Sequence, residues 1–346
     1  MYRRIQLIPN VEYISSNVEH FIFCLKDGSE YLDNKFIYKG DQNYGYGLIL
    51  KDGFYIYGKL QDIFLANFEN NQIFHTVESF SPTTVSKKGI VIIKNTFERK
   101  SDFYYLNFET KKENLFLKNL YGGFQLLYTD VKAIFKKKSV LQLYDLQSGE
   151  CYWEIDLSGR NYIVRDKDQE ATIIKLIGIE AGMLIVFMSN KELISIDIET
   201  GKILWETKDF IKNNLPAYND YRMARSIFYY GILENGKLYQ LDGNIYYTLD
   251  LKTQEVEILW EDKSETDYLT CQYASYTEDY VYFTGSRENR FSPYLLGAFN
   301  RKTLRLDWIH QPEGIVNPLT NVPHYVNGKL YILDSGGILH VYERAE

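Results

Sequence analysis

Proline, cysteine, histidine and tryptophan are all scarce in this 346-residue chain, with 7, 3, 5 and 4 copies, and the scarcities exclude several kinds of protein. Cys24, Cys151 and Cys271 lie far apart in strand-like runs, which rules out a disulfide scaffold and predicts buried free thiols in a reducing cytoplasm. His20, His75, His310, His324 and His340 are dispersed without HExxH or Cys/His spacing, so no metal site is expected; of these only His310 and His324, which border one loop segment, are expected to converge. No apolar run reaches the ~18 residues of a membrane span, and residues 1–10 hold too few apolar side chains before Pro9 for a signal-peptide core, so no membrane association is expected.

Positive charge is also short. With 39 basic against 46 acidic residues the net charge is −7, and the lysine runs at 87–88, 111–112 and 136–138 fall at predicted turns. A generic nucleic-acid binder needs a basic stripe that releases counterions, so no nucleic-acid partner is expected, whereas a basic protein partner is compatible with the acidity. Neither a GxSxG elbow nor a glycine-rich phosphate loop is present, and residues 121–124, with Gly122 and Gly123, read as a turn. No catalytic constellation is read.

What the chain has in quantity is aromatic residues, 16% of the total with 31 tyrosines and 20 phenylalanines, which suit half-buried strands. All four tryptophans occupy one slot of a repeated phrase. Residues 193–205, ending in Trp205, lie over residues 141–153, ending in Trp153, without a gap; residues 250–260 and 300–308, ending in Trp260 and Trp308, repeat the frame. Repeats of this period decide the architecture before any local motif is read. The phrase reads as a β-hairpin: an alternating run, a turn at Asp145 or Asp197 with Gly149 or Gly201 four residues on, then a second run closing on tryptophan. Aspartate is explained by turn chemistry, and tryptophan by filling the space between neighbouring sheets.

Marking each unit by the aspartate slot gives Asn67, Asn107, Asp145, Asp197, Asp250, Asn300 and Glu343, with Asp33 in a compressed unit upstream; the spacings are 34, 40, 38, 52, 53, 50 and 43. The fold class is therefore all-β: one propeller domain over 1–346, eight four-stranded blades, with seven blades plus an N-terminal extension as the alternative. Residues 1–10, chiefly 3–8, supply the outer strand of the last blade (326–346) and close the ring, while 11–325 form the successive blades.

The phrase Asp-x-x-Thr-Gly-Lys-x-x-Trp, as it stands at 197–205, resembles the repeat of pyrroloquinoline-quinone-type β-propellers, a family whose members are often eight-bladed. The resemblance implies the fold more than an activity, since the family includes quinoprotein alcohol dehydrogenases, outer-membrane assembly lipoproteins and many cofactor-free scaffolds. Its quinoprotein members carry a vicinal disulfide over the cofactor and a calcium held beside a catalytic aspartate. This chain has no adjacent cysteines, and its Asp and Asn residues fall mostly in the turn slot, so a cofactor-free member is implied.

Function is then expected in the loops that break the repeat. Extra residues lie at 157–181, with Arg160, Tyr162 and Arg165, and at 207–235, with Tyr218, Tyr221, Arg222 and Arg225. Tyrosine and arginine dominate interface hot spots. The final inter-blade loop adds His310, Asn317 and His324, and a long hairpin loop with Arg287 and Arg290 is expected to open on the other face. The reading is a cytoplasmic protein-binding scaffold, of assembly or bacterial immunity type; a small-molecule or sugar-binding or sugar-processing propeller with a polar channel site is the alternative.

Overall fold

The computed structural model describes residues 2–16, 19–39, 48–49, 54–59, 62–67, 73–77, 81–85, 88–95, 100–164, 167–207, 231–262, 269–287, 292–313 and 317–344, and among them no helix occurs. Strand β1 (Tyr2–Ile8) precedes β2–β5 (Val11–Ser16, Phe21–Leu25, Ser29–Leu32, Lys35–Lys39) and β6–β9 (Leu48–Ile49, Phe54–Lys59, Asp62–Asn67, Ile73–Val77). Next come β10–β13 (Ser81–Val85, Gly89–Asn95, Ser101–Asn107, Glu113–Leu120), β14–β17 (Gly123–Thr129, Lys132–Lys137, Val140–Asp145, Cys151–Asp156) and the short pair β18–β19 (Asn161–Val164, Lys167–Glu170). They are followed by β20–β23 (Ile173–Glu180, Met183–Met188, Leu193–Asp197, Ile203–Thr207) and β24–β27 (Ile232–Glu234, Lys237–Asp242, Ile245–Asp250, Val256–Glu261). The series ends with β28–β31 (Thr270–Tyr276, Tyr280–Ser286, Leu295–Asn300, Arg305–His310) and β32–β34 (His324–Val326, Lys329–Leu333, Leu339–Arg344).

The chain divides into two compact units, Met1–Ile49 with Tyr55–Lys59 and Asp220–Glu346, and Leu50–Phe54 with Leu60–Asn219. In the first, β2–β5, β24–β27 and β28–β31 are four-stranded antiparallel meanders, and the fourth sheet has the order β1-β34-β33-β32. The second holds the meanders β10–β13, β14–β17 and β20–β23 and the separate two-stranded sheet β18-β19. Seven four-stranded blades are thus complete within the units, not the eight expected. The difference arises at β6–β9, where the division falls: β6 pairs with β7 in the first unit and β8 with β9 in the second. Residues 11–39 are no extension. They make a sheet of their own, compressed because Asp33 and Asn34, at φ 48° and 66°, join β4 to β5 in a two-residue turn. The expected pairing of the chain's two end strands is present, with Tyr2 opposite Arg344 and Ile8 opposite Leu339.

The turn slot behaves as its chemistry demands. Asp145 Oδ1 accepts the Gln147 and Ser148 N–H groups at 2.9 and 2.8 Å, Asp197 Oδ1 that of Thr200 at 2.7 Å, and Asp250 Oδ1 those of Lys252 and Thr253 at 2.9 Å each. Asn107 and Asn300 do the same with their amide oxygens. The Thr200 hydroxyl and N–H hold the Asp197 carboxyl below its ordinary range, and the Thr253 and Lys252 N–H groups do so for Asp250. Four residues past each slot the backbone is left-handed: Gly149 and Gly201 at φ 76° and 70°, but also Lys111, Gln254 and Leu304 at 56°, 62° and 54°. A side chain there costs about 1 kcal/mol. Gln254 is exposed, so Gln254→Gly is expected to raise the unfolding free energy by about 1 kcal/mol, read by urea titration.

The core is distributed between consecutive sheets. Within the second unit, Leu141, Leu143 and Trp153 pack against Leu184, Val186, Ile194 and Ile196 of the following sheet. This explains the unbroken apolar runs of the second strands, such as Met183–Met188, which are covered on both faces, while outer strands such as β23 and β27 are largely open. Each tryptophan follows an irregularity in the outer strand: Trp153, Trp205, Trp260 and Trp308 lie opposite Leu143, Ser195, Tyr246 and Ala298, and the register shifts at the next pair. Such a bulge re-aims a side chain. Trp153 accordingly reaches the next sheet, where its indole N–H donates to Ile198 O at 2.8 Å and its ring covers Gly201, where a Cβ would stand 2.8 Å from the ring. Trp260 meets Phe299 at 5.2 Å and Trp308 meets Tyr2 at 5.1 Å in the same manner in the first unit. Cys24 and Cys271 are buried as expected; Cys151 instead is exposed, because it sits on the open outer strand β17 just before the bulge.

Candidate functional site

The longest described departure from the repeat in the second unit is the ribbon β18–β19, inserted between β17 of one sheet and β20 of the next. Its root is fixed by buried groups. Leu157 N–H donates to Ser139 O at 2.9 Å, Ser139 Oγ donates to Ala171 O at 3.0 Å, and Ala171 N–H donates to Arg160 O at 2.7 Å. The Arg160 guanidinium spans two carboxylates, Glu192 at 3.3 Å and Glu206 at 2.8 Å. Tyr162 turns its ring onto the apolar core between the two sheets. Beyond this root the ribbon is open: Ile163 is 75% exposed, the highest value among the large exposed apolar side chains of the described residues, and Lys167, Asp168, Gln169 and Glu170 are all exposed.

In the first unit a cavity of about 730 Å³ opens between β2, the inter-blade segment before β32 and the turn after β33. Tyr13, Lys26, Asn321, His324, Asp334 and Ser335 line it. Asp334 is committed to structure, its Oδ1 accepting the Gly336 and Ile338 N–H groups at 2.9 Å each and its Oδ2 facing His340 Nε2 at 3.3 Å. Asn321 Nδ2 donates to Leu333 O at 2.9 Å. The His324 ring lies edge-on to Phe21, with Nδ1 2.5 Å from Ser16 Oγ, and burial holds its pKa down at about 4.

Burial likewise lowers His310 and His340. A histidine kept neutral in the folded state but free to take a proton when unfolded stabilises fully above its unfolded pKa near ~6.5 and loses that contribution as pH falls toward the folded value. His324 alone is expected to remove about 2 kcal/mol of unfolding free energy between about pH 6.5 and 4, the shift being discounted for the ring's partial exposure. Denaturation series across that range, with His324→Gln flattening the slope, check this.

The residues singled out from sequence fall into three groups. Arg160 and Tyr162 come together at the ribbon root, as anchors more than as a free surface. His310 and His324 do not converge: His310 stacks on Trp308 at 5.6 Å and meets Tyr342 edge-on at 5.7 Å, while His324 keeps to Ser16 and Phe21, and no contact joins the two among the described residues. Arg165, Tyr218, Tyr221, Arg222, Arg225 and Arg290 lie outside the described residues. Residues 288–291 of the loop after Arg287 also lie outside the described residues; where the chain re-enters β30, Pro293 O accepts the Leu319 N–H of the inter-blade segment at 2.7 Å. Sequence reading missed Ile163, whose only signal is one aliphatic residue within a polar insert, and the Ser16–His324 pair, which is 308 positions apart. Among the described residues no group of three or more His, Cys, Asp or Glu is placed to hold a metal.

Several solved structures share this fold. BamB from Moraxella catarrhalis is 13% identical with a TM-score of 0.58 and aligns over 100% of this chain and 98% of its own. The C-terminal WD40 domain of Sif2 gives 10%, 0.65, 100% and 99%, and Sqt1 of Saccharomyces cerevisiae 13%, 0.61, 100% and 98%. No family model and no curated protein matches the sequence. At such identities the likeness shows the fold alone. With the four-stranded meanders it defines an all-β chain of the β-propeller class, one of whose inter-blade connections has become a projecting ribbon.

Proposed function

We propose that this chain is a non-enzymatic, protein-binding β-propeller scaffold that engages its partner through the β18–β19 ribbon. The observation that carries the reading is Ile163, an aliphatic side chain held 75% exposed on a ribbon whose base is locked by buried hydrogen bonds and a two-carboxylate arginine. An exposed apolar group on a pre-ordered element binds without a large ordering cost. Propellers such as the WD40 and BamB neighbours are commonly interaction scaffolds, which supports the same class. Within it we place the chain as a cofactor-free relative of the pyrroloquinoline-quinone-type repeat acting in the cytoplasm in assembly or immunity. Capture from host extract is expected to recover one protein with the native chain and at least tenfold less with Ile163→Asp; equal recovery would exclude the ribbon as the contact.

The cavity in the first unit favours a second reading, a small polar ligand held by mixed donors and acceptors beside the Tyr13 ring. A thermal-shift screen of sugars and metabolites separates the two: a strong, saturable shift lost in Asn321→Ala supports the ligand reading.

A further inference from the structure

Resting on the protein-binding reading, the ribbon's register narrows the kind of partner. Asn161, Tyr162, Ile163 and Val164 lie opposite Glu170, Gln169, Asp168 and Lys167. The 2.7 Å bond from Ala171 N–H to Arg160 O marks residues 160 and 171 as a hydrogen-bonded pair. Antiparallel ladders alternate, so 162/169 and 164/167 are the other bonded pairs, and the backbone groups of Asn161 and Ile163 point outward from β18, those of Asp168 and Glu170 outward from β19. The sheet contains these two strands alone, so neither outer edge is paired with another strand of the described chain. Side-chain alternation places Asn161, Ile163, Asp168 and Glu170 on one face and Tyr162 on the other, and Tyr162 faces the core. The open face therefore sets an exposed isoleucine beside two carboxylates, of which Glu170 also accepts the Gly159 N–H at 3.2 Å.

We infer that the ribbon receives an extended, basic segment of another protein as a third strand along β18. Main-chain bonds to Asn161 and Ile163 supply the pairing, an aliphatic side chain of the segment covers Ile163, and lysine or arginine side chains on the same face are drawn to Asp168 and Glu170. Strand addition is the mode that suits an edge whose free groups are backbone N–H and C=O, and the acidic face selects the charge of what is added.

The test uses the full chain and two fluorescently labelled peptides, Lys-Thr-Val-Thr-Lys-Thr-Val, whose lysines and valines share one strand face, and its counterpart with glutamate in place of lysine, read by anisotropy. The lysine peptide is expected to bind at least tenfold tighter than the glutamate peptide, to weaken as ionic strength rises, and to lose at least tenfold on Ile163→Asp, on Asp168→Lys and on N-methylation of alternate backbone amides. Near-UV circular dichroism confirms that the variants, both at exposed positions, remain folded. Equal binding of the two peptides, no binding of either, or indifference to N-methylation would overturn the strand inference. If that occurs while capture of the host partner still depends on Ile163, the protein-binding reading stands and only the partner class falls; if capture is independent of Ile163 as well, both fall.

Discussion

Trp153→Ala is expected to lower the unfolding free energy by about 3–5 kcal/mol, the range for deleting a large buried aromatic side chain. Trp153 is 8% exposed, donates its indole N–H to Ile198 O at 2.8 Å, and its ring covers Gly201 in the turn of the following sheet. Truncation empties the space between two sheets and leaves the Ile198 carbonyl without that donor, so loss of packing and of a buried hydrogen bond act together. Tyr152, the neighbouring residue that the register skips, is 43% exposed, and Tyr152→Ala is expected to change stability by less than about 1 kcal/mol. Urea titrations of the two variants check the contrast. Similar losses for both would contradict the assignment of the tryptophan as an inter-sheet wedge.

Arg301→Ala is expected to lower stability by about 3 kcal/mol, well above the ~0–1 kcal/mol of a surface ion pair. Arg301 follows the turn-slot Asn300 and reaches from the sheet β28–β31 to the sheet β24–β27. Its Nη1 donates to Glu234 Oε1 at 3.2 Å and to Thr277 O at 2.7 Å, its Nη2 donates to Glu234 Oε2, and its Nε donates to Tyr246 OH at 3.2 Å. The guanidinium also lies 5.4 Å from the Tyr239 ring centre. Its side chain is 9% exposed, so deleting it leaves Glu234 and the Thr277 carbonyl short of partners in a poorly hydrated place. Arg301→Lys is expected to recover only part of the loss, because one ammonium cannot reproduce the forked contact. Thermal and urea denaturation of the two variants measure both effects.

Much of the fold was legible because one physical requirement recurs at one spacing. A carboxylate or amide that caps a hairpin turn, followed at a fixed offset by a large ring, leaves a mark that survives where Leu115 or His75 replaces tryptophan. The end pairing of β1 with β34 followed from a last unit one strand short. The left-handed turn position was only half legible: glycine announces it at Gly149 and Gly201, while Lys111, Gln254 and Leu304 adopt the same conformation because the aspartate or asparagine cap pins the backbone around them. The candidate surface was less legible. Tyrosine and arginine serve equally as contact residues and as anchors, and composition does not tell which; Arg160 and Tyr162 are drawn inward by Glu192, Glu206 and the core, leaving Ile163 outermost. Links such as Ser16 to His324 and Glu234 to Arg301 join residues that only the folded chain brings together.

The central claim, that the ribbon and not the repeat makes the contact, is tested most directly by placing a photo-crosslinking residue at position 163 and, in a second protein, at position 204. Leu204 is 50% exposed on the outer strand β23 of the same unit and serves as the control. Irradiation in host cells is expected to give one discrete crosslinked protein from position 163 and none from position 204. A shared adduct from both positions, or an adduct from position 204 alone, would contradict the account.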